Sequence, residues 1–184
     1  MGKGLTRPFL AQPTPTIMKT HHVLPLLFAI LASATIARGA DTHPSPETQE
    51  LANQANRAMA EENWTEARQL LETALEQTPD APELWIGSGF TLVRLDRIEE
   101  ARESYETALA LYEKRVEEEP DNAGLVMNVG YTYVLLNRRD DAMAYLEAAA
   151  EHNPDEPVFE RFSAIVEGLE ENFSEFIIPE HEPE

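Results

Sequence analysis

The sequence predicts an all-α fold: a right-handed α-solenoid of three helix-turn-helix repeats with a capping helix at its C-terminal end. Three observations predict it. Proline followed by aspartate recurs at Pro79-Asp80, Pro120-Asp121 and Pro154-Asp155, at intervals of 41 and 34 residues. Small residues keep the same intervals. Ala67, Ala101 and Ala142 are spaced by 34 and 41, as are Ala74, Ala108 and Ala149, and as are Ala55, Gly89 and Gly130. Between them, apolar residues recur at helical spacing. A period in the thirties marks stacked helical hairpins, because one hairpin alone cannot bury its apolar stripe.

The first helix of each unit is expected over 50–60, 83–95 and 124–136, and the second over 64–77, 98–118 and 140–152. Ser45-Pro46-Glu47 places a capping hydroxyl before a proline at the first helical position. Each Pro-Asp step closes one unit and opens the next. The proline denies the ending helix its next backbone donor. The aspartate is then expected to cap the following helix, with Asp80 and Glu83 forming a capping box. Short polar loops, "EEN", "DR" and "NRR", make the two helices of a unit antiparallel neighbours. Gly89 and Gly130 let a first helix approach its partner closely, opposite Ala67, Ala101 and Ala142. Large residues fill the rest: Leu51, Trp85 and Val126 on first helices, Leu71, Tyr105 and Leu146 on second ones. Trp64 and Trp85 are expected in the core.

The second unit carries seven extra residues around "ALYEKRV", 110–116. Two added turns, about 10 Å, nearly restore the helical phase. They predict one long helix that projects past its neighbours and offers a further contact surface. After Pro154, Val158, Phe159, Phe162, Ile165, Val166 and Leu169 recur at helical spacing and predict the capping helix.

Ahead of the repeats, Lys19–His22 precedes the apolar run "VLPLLFAIL" and the small-residue stretch "ASATIARGA". This order describes a secretory signal peptide, with Ala32-Ser33-Ala34 or Thr35-Ile36-Ala37 at the cleavage site. The run is too short for a comfortable membrane span of about 20 residues. The expected organisation is an N-terminal extension (1–17), a signal peptide (18–40) and a linker (41–47). Three repeats follow over 48–156, divided as 48–81, 82–122 and 123–156, then the capping helix (157–172) and an acidic tail (173–184). Export to the periplasm or the exterior follows from the signal.

The net charge is −20, and from Asp41 onward 34 acidic residues face ten basic ones. Such a surface repels phosphates, so nucleic acid is not an expected partner, and a basic partner, or simple solubility, fits it better. Membrane contact is expected only through an uncleaved signal segment. No cysteine is present, which removes disulfides and thiol chemistry. No nucleophile elbow, phosphate loop, zinc signature or dinucleotide fingerprint occurs. The five histidines are scattered. No catalytic residue, cofactor or metal ligand is therefore assigned.

The pattern Trp85, Gly89, Ala101, Tyr105 and Ala108, with a proline closing each unit, resembles the tetratricopeptide repeat family. Departures are Gln54 and Ala58 in the first unit, and Arg139 where Trp64 and Ile98 stand in the others. The resemblance implies a protein or peptide binder that catalyses nothing. Ala52 and Gly124 stand where the family's carboxylate-binding lysines would be expected, so a guest recognised only by an acidic C-terminus is not expected.

The first helices carry a second apolar face beyond their packing set. Ala52, Asn56 and Met59, then Ile86, Phe90 and Val93, then Met127, Tyr131 and Val134 each follow i, i+4, i+7 spacing. A helix apolar all round is covered on both sides. In a hairpin stack these rows form one concave groove. Its expected contact residues are Asn53, Asn56, Met59, Ile86, Phe90, Val93, Arg94, Met127, Asn128, Tyr131 and Val134. The asparagines suit the backbone of an extended guest, and Arg94 a carboxylate. An apolar peptide or amphipathic helix of a partner protein is the expected occupant. The alternatives are cover from within, by the tail around Phe176–Ile178, or a second copy in a self-associating envelope subunit.

Overall fold

The structure, a computed structural model, describes residues 45–152 and 174–179. The expected N-terminal extension, signal peptide and capping helix lie outside these residues. Six α-helices and one short 3-10 turn make up the described part, with no strand among them. They are α1 (Pro46–Ala60), α2 (Trp64–Gln77), α3 (Pro82–Arg94), α4 (Ile98–Glu118), α5 (Ala123–Leu135) and α6 (Arg139–His152), then the turn Ser174–Phe176. Each helix packs on its neighbour in sequence, α3 on α4 most extensively. Nearest-neighbour packing of this kind is what makes a solenoid.

The helix starts are set by proline and asparagine more than by aspartate. Ser45 caps α1, its hydroxyl accepting from the Thr48 amide at 3.1 Å, and Pro46 opens the helix. The expected capping box at Asp80 and Glu83 is not formed. Pro82, at the first helical position, makes Ala81 the cap residue, and no side chain caps there. Glu83 instead pairs with Arg115 of α4 at 3.0 Å, and Arg115 also donates to the Asp80 carbonyl. One unit later the cap is Asn122, not Asp121, accepting from the Leu125 amide at 3.3 Å. Both first helices begin one residue earlier than the expected 83 and 124, at Pro82 and Ala123.

The three turns inside the hairpins share one geometry. Glu62, Asp96 and Asn137 hold φ of 59°, 59° and 57°, and they keep the 34- and 41-residue spacing of the repeats. The amide after each donates five residues back: Asn63 to Ala58, Arg97 to Leu92, Arg138 to Tyr133. The left-handed residue's own amide donates three back, to Met59, Val93 and Val134. Two such bonds satisfy carbonyls that a helix end leaves without partners. Asparagine and aspartate tolerate this conformation, whereas glutamate has no local compensation for it. Glu62→Gly is expected to raise stability by about 0.5–1 kcal/mol. Glu61→Gly, at φ −87° next door, should lower it. Urea midpoints of the two variants check the pair.

The small residues lie where their register puts them. Ala67, Ala101 and Ala142 are fully buried, as are Leu146 and Tyr105, with Leu71 nearly so. A Cβ built at Gly89 would lie 2.1 Å from Tyr105 Cε1, so the glycine is required for the close crossing of α3 and α4. Trp64 and Trp85 depart from expectation: both are half-buried. The Trp85 indole donates to the Pro79 carbonyl at 2.8 Å, which pins it at the seam between units.

The long helix is continuous over 21 residues, about 30 Å at 1.5 Å per residue. Its added turns are anchored rather than merely projecting. Tyr112 is fully buried, Arg115 holds Glu83, and Glu113 accepts from the Tyr133 hydroxyl at 2.9 Å. Lys114, Glu117 and Glu118 remain exposed.

The apolar interior is uneven along the stack. One large cluster joins α3 to α6 and includes Phe176 and Ile178. Two small clusters, mostly alanine, hold α1 and α2: Ala55, Leu71, Ala74, Ala81 and Leu84 in one, Ala58, Met59 and Ala67 in the other.

Candidate functional site

The second apolar face of the first helices exists, but much of it is covered. Ile86, Phe90, Asn128, Tyr131 and Val134 are buried, and Val93 and Met127 half-buried. The expectation of an open groove at these positions is therefore corrected. Met59 is corrected too: at 1% exposure it packs with Ala58 and Ala67 inside the first hairpin. Arg94 stays exposed, and at the first-unit end Asn53 is exposed with Asn56 and Ala52 half-buried.

A cover over the groove comes from the chain itself. Residues 174–179 lie against α3, with Phe176 1% and Ile178 0% exposed. The Phe176 ring stands 4.8 Å from the Phe90 ring, centroid to centroid. Tyr105 approaches Phe90 edge-on at 6.0 Å, an arrangement that the ring quadrupoles favour. Two main-chain bonds fix the segment. The Tyr105 hydroxyl donates to the Phe176 carbonyl, and the Ile178 amide donates to the Leu135 carbonyl, both at 2.9 Å. Leu135 is the last residue of α5, so the segment satisfies a carbonyl that the helix leaves over. Tyr105 belongs to a second helix. It reaches the first-helix face because Gly89 offers no Cβ in its path.

Arg94 meets a carboxylate of its own chain. Its guanidinium pairs with Glu175 at 2.8 Å and lies 5.1 Å from the centre of the Trp64 ring. A cation over an indole face is held electrostatically, so Trp64 steadies the arginine that receives the carboxylate. Sequence reasoning missed Trp64, Tyr105 and Glu175 as members of the site. The pairing of a glycine with a tyrosine across the hairpin, in place of the first unit's Ala55 and Leu71, was the available signal.

Tyr105, Tyr112 and Tyr131 are buried in the large cluster. The Tyr112 and Tyr131 hydroxyls and the Asn128 amide nitrogen are buried without a hydrogen-bond partner among the described residues. Burial raises Tyr105, Tyr112 and Tyr131 above the ordinary phenol value. Burial first, and then the hydrogen bond to Glu113, push Tyr133 up to about 12. A phenol whose folded value is raised contributes stability that is complete below pH 10, the unfolded value, and is lost as pH rises through the folded value. The fold should hold to about pH 10 and then fail cooperatively, the buried tyrosines ionising only as it opens. Following tyrosinate absorbance and helical circular dichroism together checks this, and gradual ionisation with the helices intact would contradict it.

Nothing in the described arrangement pairs a nucleophile with a base. No group of three His, Asp or Glu side chains there stands close enough to hold a metal ion. What the face offers is an aromatic shelf, an arginine, a hydroxyl donor at Tyr105 and a main-chain acceptor at Leu135.

No curated protein matches the chain. A family model described as tetratricopeptide repeat matches residues 58–107 and 102–164. The two stretches together span more than half of the sequence and take in α3 and α5, whose faces carry the middle of the groove. With the 34-residue register, the all-helical hairpins and this match in agreement, the chain belongs to the tetratricopeptide repeat family.

Proposed function

We propose that the chain is an exported, non-enzymatic adaptor that binds a segment of a partner protein along the face of its first helices. One observation carries the reading: that face already takes in a short segment, Ser174–Pro179, which makes one 3-10 turn and is held through side-chain and main-chain contacts together. A surface able to bind its own chain in this way has the chemistry to bind another. The covered middle of the groove and the accessible first-unit end make it an interaction surface with an occupant in the resting chain. Export is supported by the order of basic, apolar and small residues over 18–40.

The test compares three full-length proteins expressed in their native host: wild type, Phe90→Asp, and Phe176→Ala with Ile178→Ala. A partner that uses the groove is retained or enriched by the tail variant and lost with Phe90→Asp. Equal recovery by all three, each still helical by circular dichroism, removes the groove as the site. The mass of the recovered wild type reports export, a new N-terminus after Ala34 or Ala37 being expected. Molar mass against concentration decides the alternative of a self-associating subunit, since a monomer at all concentrations counts against it.

A further inference from the structure

The geometry points to Glu175–Ile178 as a resident stand-in for the partner. On this inference the groove selects a segment that makes one tight turn, with an acidic residue, an aromatic ring directly after it, and a branched aliphatic side chain two residues beyond. The partner takes the groove by displacing the tail. The inference rests on the groove-binding reading above and names the chemistry of its guest.

The contacts separate into two kinds. The bonds from the Tyr105 hydroxyl to the Phe176 carbonyl and from the Ile178 amide to the Leu135 carbonyl involve backbone that any segment turned in this way supplies. They give affinity without selection. Selection comes from three side chains. Phe176, at the end of the 3-10 turn, and Ile178, beyond the bend at Ile177, are both buried. Ile177 between them is half-buried and Pro179 is exposed. Glu175 meets Arg94, whose side chain is only about one-third exposed and is braced by Trp64. In a chain of net charge −20, an acidic guest gains nothing from the overall field. It must be recognised by a placed cation, and Arg94 is placed.

Displacement is physically accessible because the same face has room at its first-unit end. Asn53, Asn56 and Ala52 there retain exposure, so a partner segment can settle there before the tail departs. A tethered segment competes at an effective concentration on the order of millimolar. A free peptide with an intrinsic dissociation constant of about 10 μM would therefore appear roughly a hundred-fold weaker to the wild type than to a chain whose tail is released.

The experiment uses the full chain and a blocked, fluorescent peptide, Ser-Glu-Phe-Ile-Ile-Pro, read by anisotropy. The Phe176→Ala, Ile178→Ala double variant should bind it at least ten-fold more tightly than wild type. A peptide with alanine in place of the phenylalanine should not bind. A peptide with arginine in place of the glutamate should lose several-fold, and regain it when Arg94→Glu is added to the double variant. Arg94→Glu alone, a change at a partly exposed position, should loosen the tail and admit the arginine peptide with the fold intact. The inference is overturned if the folded double variant binds no peptide, if wild type and double variant bind alike, or if the arginine peptide binds the double variant as well as the parent does. Should the peptide fail while partner recovery still depends on Phe90, the guest chemistry falls and the groove reading stands. Should both fail, both fall.

Discussion

Gly89→Ala is expected to cost the chain about 2 kcal/mol and to release its tail. Two effects oppose each other. Helix propensity alone favours alanine over a mid-helix glycine by about 1 kcal/mol. Against this, the new Cβ would lie 2.1, 2.4 and 2.7 Å from Tyr105 Cε1, Cδ1 and Cζ. Tyr105 is fully buried, so its ring has no free space to move into, and overpacking of this kind costs about 1–3 kcal/mol or more. The overlap wins. The displaced ring also loses the bond to the Phe176 carbonyl, which is why the tail should leave with it. Adding Tyr105→Leu should recover at least about 1 kcal/mol, because alanine opposite leucine is the pair the first hairpin already uses at Ala55 and Leu71. The tail should dock more weakly in that double variant than in wild type, since its hydroxyl donor is gone. Equilibrium urea unfolding gives the energies, and amide exchange at Ile178 reports the tail. A single variant as stable as wild type would show that α3 and α4 do not cross as described.

Phe176→Ala should lower stability by about 2–3 kcal/mol, less than the 3–5 kcal/mol typical of a phenylalanine lost from a closed core. The limit is topological. A core residue within a helix leaves a cavity that its neighbours must tolerate. A residue on a terminal segment lets the whole segment depart, so the loss cannot exceed what docking contributed. Phe176 is 1% exposed and lies against Phe90, so its release uncovers an aromatic shelf as well as removing a ring. Tyr105→Phe isolates the hydrogen bond and should cost about 1 kcal/mol. Thermal unfolding ranks the two, and limited proteolysis should cut the tail of Phe176→Ala well before the repeats. A Phe176→Ala chain within about 0.5 kcal/mol of wild type, the range of an ordinary surface change, would mean that the segment contributes nothing to the core.

The repeat was legible because it is written twice over, in prolines and in small residues. Two helices, 64–77 and 98–118, have the bounds their spacing predicts. Local chemistry was read less well. The Asp80 cap failed because Pro82 dictates the first helical position. The left-handed turns at Glu62 and Asp96 were invisible because neither residue is a glycine. The two tryptophans were placed in the core on size alone, whereas each has a polar task at a half-buried seam. The groove was the hardest part. Periodicity identified the apolar face, and the run "FSEFIIP" was visibly unlike a free tail. Only the folded chain shows that the one meets the other, since a contact spanning 71 residues from Tyr105 to Phe176 leaves no mark in any local window.

That contact alters how the stack should come apart. A pile of hairpins in which each touches only the next behaves as a one-dimensional array and unzips from either end. Here the terminal segment returns to the second hairpin and fastens to α5 on the way, which turns the later hairpins into a closed ring of contacts. Such a ring should melt as a single block and close slowly, because a distant pairing must be found before it is rewarded. The first hairpin, held by alanine-rich packing, should open and shut at its own pace as a hinged door on that block.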